Sequence, residues 1–413
     1  MSELQSDRGA ELVERPAWPA WQRVIFRAAF AYFVLFATTS LLDVGNGPRR
    51  ILRTLRDPAV GWFGHAVLGA RGSPNDSGVR WGIANLVVPL MAAVAIAVVW
   101  SLASTRPEYR RLHGWMRLVL RYYVGIVMMI YGAFKVIPSQ FPPISLDQLA
   151  QPLGALSPMG LLWSFMGYSA VYEMFTGFGE AIGAFLLFFR RTTTAGALLL
   201  IAVLSNVALL NFAYDVPVKQ LSSNLLMAAI FLAAPDAVRL IDVLFRNRPT
   251  RAVDLGLALP RWLARVRRFV KPIVVAGATA VPLVFSAGVS PRLREAPPLF
   301  GIYDVRAFVR NGVAVLPLAT DSVRWRSVVF GRAGSMSIRL MTDSVRQMSI
   351  VLDSLTRSVT YQPRGAPAGR QVLRYETPGN GSLRVRGIYA GDSVDVTLEK
   401  LDHRRAFRLL RGM

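Results

Sequence analysis

Glu180 stands inside FTGFGEAIGAFLLFF (residues 175–189), a stretch with no other charge. A carboxylate at mid-bilayer is costly unless it is paired, protonated or wet, so it marks a functional site. Glu173, Gly177 and Glu180 fall at i, i+4 and i+7 and line one stripe of a helix. On the preceding apolar run Tyr131 and Lys135 are one turn apart, and Lys135 is one of only four lysines among 48 basic residues. A lysine carries a compact charge of adjustable pKa, whereas an arginine would stay cationic. Burial can move such groups toward neutrality, where they serve as general acid and base. Glu180 and Lys135 are therefore the candidate catalytic pair. Tyr131, Glu173, Asn211, Tyr214, Asp215 and Lys219 are the candidate pocket, with Tyr172 a further hydroxyl donor.

Counted by helical rise from Arg121, Arg190 and Arg191, Glu180 lies roughly 15 Å deep, Lys135 about 21 Å, Asn206 about 22 Å, Glu173 about 25 Å and Asn211 about 30 Å. They share the outer half of a membrane. The competing reading is structural: Glu180 and Lys135 tie helices together, and Lys135 and Lys219 snorkel to the headgroups. Asn206 is turned well away from the Asn211 and Asp215 face and is expected to cement a helix contact. Gly179 and Gly183 form a small-xxx-small pair that admits a close neighbour. Metal chemistry has little to work with. Cysteine is absent, and His65, His113 and His403 all lie outside the apolar runs.

Seven runs are long and apolar enough to cross a hydrocarbon core of about 30 Å. They cover roughly 22–42, 82–103, 118–138, 168–189, 193–213, 217–234 and 271–289. The chain carries 48 Lys and Arg against 25 Asp and Glu, a net charge of +23. That excess gathers at span ends and loops, as membrane topology requires, so nucleic acid is not an expected partner. Loop 139–167 has no Lys or Arg, whereas 104–117, Arg190, Arg191 and the run Arg239 to Lys271 are basic. The N-terminus is thus expected in the cytoplasm and the C-terminal domain outside, in a multi-pass protein of the bacterial inner membrane. One basic loop falls on the outer side, and its RRILRTLRDPAV portion (49–60) reads as an amphipathic helix on the headgroups.

These elements divide the chain into a two-span region (1–117), a four-helix bundle (118–240), a basic cytoplasmic linker with the seventh span (241–292) and an exported β domain (293–413). Pro138 and, in loop 139–167, Pro142, Pro143, Pro152 and Pro158 break any long helix, while Ser145 and Gln148 read as a capping box. Asp215 is placed to cap the sixth helix, and Pro217 suits its first turn. From Gly301 onward short alternating segments recur about ten residues apart, with turns at PGNG (378–381) and AGD (390–392). They predict an antiparallel β domain, a barrel or sandwich, with an eight-stranded up-and-down barrel as first choice.

Three segments, YGAFKVIPSQF (131–141), YEMFTGFGEAIGAFLLFFRRT (172–192) and NVALLNFAYDVPVK (206–219), resemble the DoxX-like family of four-helix membrane proteins. That family includes the membrane subunit of thiosulfate:quinone oxidoreductase. The resemblance covers residues 118–240 and implies that Lys135, Glu173, Glu180, Asn211, Asp215 and Lys219 are the positions that matter. The added spans and the β domain depart from the minimal module.

Two function classes follow. In one, quinone enters from the bilayer, Glu180 and Lys135 manage the protons of its two-electron chemistry, and the chain is a quinone-linked oxidoreductase subunit. In the other, the chain is a non-catalytic module that binds or passes a lipid or small apolar molecule, or a structural subunit whose β domain docks a periplasmic protein. An eight-stranded barrel can enclose one small ligand. Its 20 Lys and Arg against 10 Asp and Glu over 290–413 favour an acidic partner or anionic lipid heads.

Overall fold

The computed structural model describes residues 17–40, 56–76, 78–250, 261–332, 334–363, 371–379, 381–402 and 407. Most of the expected headgroup helix at 49–60 lies outside the described residues. Residues 56–62 are helical, and the further α-helices are α1 (Ala20–Ser40), α2 (Val79–Ala103), α3 (Arg110–Val136), α4 (Leu146–Ala150), α5 (Pro158–Tyr168), α6 (Ala170–Leu187), α7 (Thr193–Ala213), α8 (Lys219–Ala233), α9 (Ala237–Leu244) and α10 (Arg261–Arg294). Six of these, α1, α2, α3, α6, α7 and α10, are long and apolar enough to cross a membrane. The chain has the build of a multi-pass membrane protein joined to a β-barrel. Two compact units divide it: residues 1–130 with 179–279, and residues 131–178 with 280–413.

The expected span at 217–234 is realised as α8, whose 15 residues rise only about 22 Å. A 3₁₀ turn at Ala234–Asp236 and then α9 follow it. The shortening begins in the preceding turn, where Asp215 takes a left-handed φ of 53° and spends the next residues reversing the chain. Val218 becomes the N-cap with no side-chain cap bond. The expectation that Asp215 caps this helix and Pro217 opens its first turn is therefore corrected: both precede the helix, and the Asp215 carboxylate serves the Lys219 side chain instead.

The core of this first unit is aliphatic and aromatic, with Val124, Leu187, Phe188, Leu200, Ala228 and Leu232 fully buried. The expected small-residue contact is made at Gly183. A Cβ there would lie 2.7 Å from Leu200, and one on Gly196 of α7 would lie 2.8 Å from the Gly183 carbonyl. Gly179 has more room, its nearest neighbour being Val203 at 3.3 Å.

In the second unit the prolines divide the 139–167 loop as expected. Ser145 caps α4 by accepting from the Gln148 amide while Gln148 returns a bond to the Ser145 amide, the complete capping box. Strands β1 (Gly301–Arg310), β2 (Val313–Ala314), β3 (Trp325–Phe330), β4 (Ser335–Leu340), β5 (Val345–Asp353), β6 (Ser358–Pro363), β7 (Gln371–Gly379), β8 (Ser382–Tyr389) and β9 (Asp392–Lys400) form one antiparallel sheet. Pairing of β1 with β9, with Phe308 opposite Val396, closes it into an eight-stranded barrel to which the two-residue β2 is appended. Closure leaves no long unpaired edge. Eight strands enclose a space that side chains fill, and here Trp325, Phe330, Ile338, Met348, Tyr361 and Leu398 fill it.

On one side of the barrel wall Ile302 and Val329 are buried too, because Leu146 and Leu149 of α4 cover them. Asp147 accepts the Ser337 hydroxyl, and the Arg339 guanidinium donates to the Ala150 carbonyl at 2.8 Å. The capping box thus starts a five-residue helix whose purpose is to seat the loop on the barrel. At the other end of this unit Ser286 of α10 donates to the Ile137 carbonyl at 2.9 Å, and Ser290 to the Pro138 carbonyl at 2.7 Å.

Burial pushes the Tyr361 phenol up to about 12. Folding then holds a proton that the unfolded chain releases near pH 10, so this contribution is intact below pH 10 and is lost as pH rises toward 12. The urea midpoint of barrel unfolding, followed at strand amides by mass spectrometry, should fall across that window by the equivalent of roughly 2 kcal/mol. Tyr361→Phe should flatten the fall.

Candidate functional site

The sequence-predicted residues fall into two polar groups, one in each unit. In the second unit α3 and α6 approach at Gly177, where a Cβ would lie 2.6 Å from the Lys135 Cβ and 2.6 Å from the Val136 amide nitrogen. The missing side chain is what admits Lys135 to this face of α6. One turn earlier on the same stripe stands Glu173, whose Oε1 accepts the Phe141 amide at 3.2 Å. Glu173 is 1% exposed and Lys135 6%. Tyr131, one turn before Lys135, is half-buried. A carboxylate, an ammonium and a phenol are thus held by two helices and the turn that follows α3. Tyr172 is exposed and packs edge-on against Phe165.

In the first unit the α7–α8 turn gathers the other group. Lys219 is 2% exposed, and its ammonium donates to the Asp215 carboxylate at 2.6 Å and to the Val216 carbonyl at 3.0 Å. Gly82 of α2 leaves room for its stem, since a Cβ there would lie 2.7 Å from the Lys219 Cδ. Lys219 is therefore a paired, buried cation and does not snorkel. Asn211, also buried, donates to the Ser222 hydroxyl at 3.0 Å. Tyr214 terminates α7, its amide bonding back to the Leu210 carbonyl at 2.9 Å. The Lys219 ammonium and the Asn211 amide in this second group are thus each engaged by a neighbour from the same turn or from the start of α8.

Glu180, in the first unit, is 1% exposed. A carboxylate that buried must be neutralised or bonded, which is the condition for an adjustable proton site. Asn206 is exposed along α7 and forms no buried helix contact of the kind expected for it.

Sequence reasoning missed Arg27. It sits in the first apolar run, 3% exposed, with its guanidinium donating to the Ser101 hydroxyl at 2.7 Å, the Ser104 carbonyl at 3.0 Å and the Tyr109 hydroxyl at 3.0 Å. The signal was its place one turn inside the run, where most basic residues of this chain stop at the edge. Also missed was Asp236, which is buried and accepts from the Thr194 hydroxyl at 2.5 Å and from Arg239 at 3.3 Å.

No family model and no solved structure matches the chain. Among curated proteins it is 33% identical over 129 residues to the uncharacterized protein YwoB of Bacillus subtilis (strain 168), a match that takes in 31% of this chain and 81% of that protein. At that identity and coverage, this chain and YwoB belong to one family.

Proposed function

We propose that the chain is a quinone-linked redox membrane subunit in which Lys135, Glu173 and Glu180 handle the protons that accompany two-electron chemistry. The observation that carries this reading is the near-complete burial of both carboxylates and the lysine on helices of membrane-spanning length. Ionisable groups at such depth face an interior path or partner by default. The likeness of 131–141, 172–192 and 206–219 to the DoxX-like module supports it. The chain has no cysteine, so electrons enter from a partner protein or directly from the substrate. The self-paired Lys219 group fits a structural role in this scheme, and catalysis rests on the other three residues. On the topological argument from charge, and with α8 together with the 3₁₀ turn and α9 that continue it counted as a crossing beside the six long apolar helices, the protein lies in a bacterial inner membrane with its barrel exported. Because the barrel is filled by its own side chains, it acts as a docking body for a protein partner and not as a vessel for a lipid.

The test is mass spectrometry and absorbance on organic extracts of detergent-purified protein. Wild type should carry stoichiometric quinone, and Glu180→Gln and Lys135→Met should each lose most of it while retaining the wild-type melting temperature to within a few degrees. Bulk lipid alone, unchanged by either substitution, would remove the redox reading and leave a structural or lipid-handling subunit.

A further inference from the structure

A groove of about 840 Å³ runs along α10 in the first unit, between Arg268, Lys271, Pro272, Val275 and Thr279 on one side and Phe185 and Phe189 on the other. That volume lies within the roughly 300–1,000 Å³ of small-molecule sites. Its chemistry changes along its length. At one end the Lys271 ammonium lies 4.7 Å over the Phe189 ring, and Arg268 is one turn away on the same face. Beyond them the walls are apolar for about 12 Å, the rise from Lys271 to Thr279. The Thr279 hydroxyl is already spent on the Val275 carbonyl at 2.8 Å. Phe185 and Phe189, with ring centroids 5.2 Å apart, make the opposite wall.

We infer that this groove binds an anionic phospholipid, its phosphate at Arg268 and Lys271 and an acyl chain along Phe185, Val275 and Thr279. Two cations beside an apolar trough match a ligand with one charged end and one hydrocarbon end. A soluble phosphate would leave the aromatic wall unused, and a zwitterionic lipid would set its own cation against the two basic side chains. Arg265 lies one turn further out on the same stripe and is exposed, which extends the positive end toward the headgroup layer.

Native mass spectrometry can count dioleoylphosphatidylglycerol and dioleoylphosphatidylcholine bound to the full chain in a neutral detergent. Wild type should retain phosphatidylglycerol preferentially, and the Arg268→Gln/Lys271→Gln double variant should bind it about thirtyfold more weakly, as expected for two basic residues near a lipid surface. Arg268→Glu, at an exposed position, should by itself weaken binding at least tenfold, which keeps the test decisive if the double variant does not fold. A control pair on the barrel, Arg326→Gln/Arg346→Gln, should leave binding unchanged. Equal retention of both lipids, undiminished binding in the groove variants, equal loss in the barrel control, or glycerol phosphate binding as tightly as the lipid would each overturn the assignment.

Discussion

Gly177→Leu should give a protein that does not reach its native fold in detergent, while Gly177→Ala should fold with a lowered melting temperature and a loss of about 1–3 kcal/mol from overpacking. The reason is geometric. A Cβ at this position would sit 2.6 Å from the Lys135 Cβ, 2.6 Å from the Val136 nitrogen and 2.9 Å from the Lys135 carbonyl carbon. Carbon atoms in good contact lie about 3.5–4.0 Å apart. None of the three atoms is the tip of a flexible chain, so a rotamer change cannot relieve the clash and α3 and α6 must separate. Separation would move Lys135 away from the stripe that carries Glu173, and if the chain is the quinone-linked subunit proposed above, the alanine variant should lose quinone beyond what its stability loss explains. Gly277 is the control, since nothing lies within 4 Å of a Cβ there. Gly277→Ala should be neutral or stabilise by up to about 1 kcal/mol, the usual penalty of glycine inside a helix. If Gly177→Ala melts as late as Gly277→Ala, the close approach of the two helices in this region is not what builds the site.

Particular residues show what could be read from sequence. The barrel was legible because alternation has a period of two and its turns are marked by residues suited to positive φ, such as Gly379, Gly381 and Gly391. The capping box at Ser145 and Gln148 was legible because it is a local contact. Glu173, Glu180 and Lys135 were legible as buried groups because charge inside an apolar run is costly wherever the run packs. The length of α8 was not, because the chain reversal at Asp215 and Val218 uses up residues that composition alone assigns to the helix. Nor was the seat of α4 on the barrel. Asp147 and Ser337 are 190 positions apart, and no periodicity links a loop to the strand that will hold it. The pairing of Lys219 with Asp215 was not legible for a related reason. A lysine at a helix end has the same sequence signature whether it reaches outward or folds back onto Asp215. Asn206 failed in the opposite sense: its angular offset was correctly read, but the face it points to is exposed.

Arg27→Ala is the other substitution expected to have a large effect, about 3 kcal/mol against folding, because hydrogen bonds to a charged group contribute about 1.5–3 kcal/mol each and their acceptors would stay buried. Its hydrogen-bond partners among the described residues are neutral: the Ser101 and Tyr109 hydroxyls and the Ser104 carbonyl. The guanidinium also lies 5.2 Å from the Tyr109 ring centroid and 5.9 Å from that of Trp100. One side chain of α1 thereby fixes the end of α2, the turn after it and the residue that leads into α3. A planar fork can meet acceptors in three directions while stacking on aromatic faces, and an ammonium cannot. Arg27→Lys should therefore recover less than half of the loss, although it restores the charge. Tyr109→Phe removes an acceptor that the guanidinium uses twice and should cost about 1–2 kcal/mol alone. The Arg27→Ala/Tyr109→Phe double variant should cost clearly less than the sum of the two, because both remove one interaction. Thermal unfolding of the four proteins in detergent closes this cycle. Additive losses would mean that Arg27 acts through its charge as a topological anchor at the membrane edge, and not as the bolt between these helices.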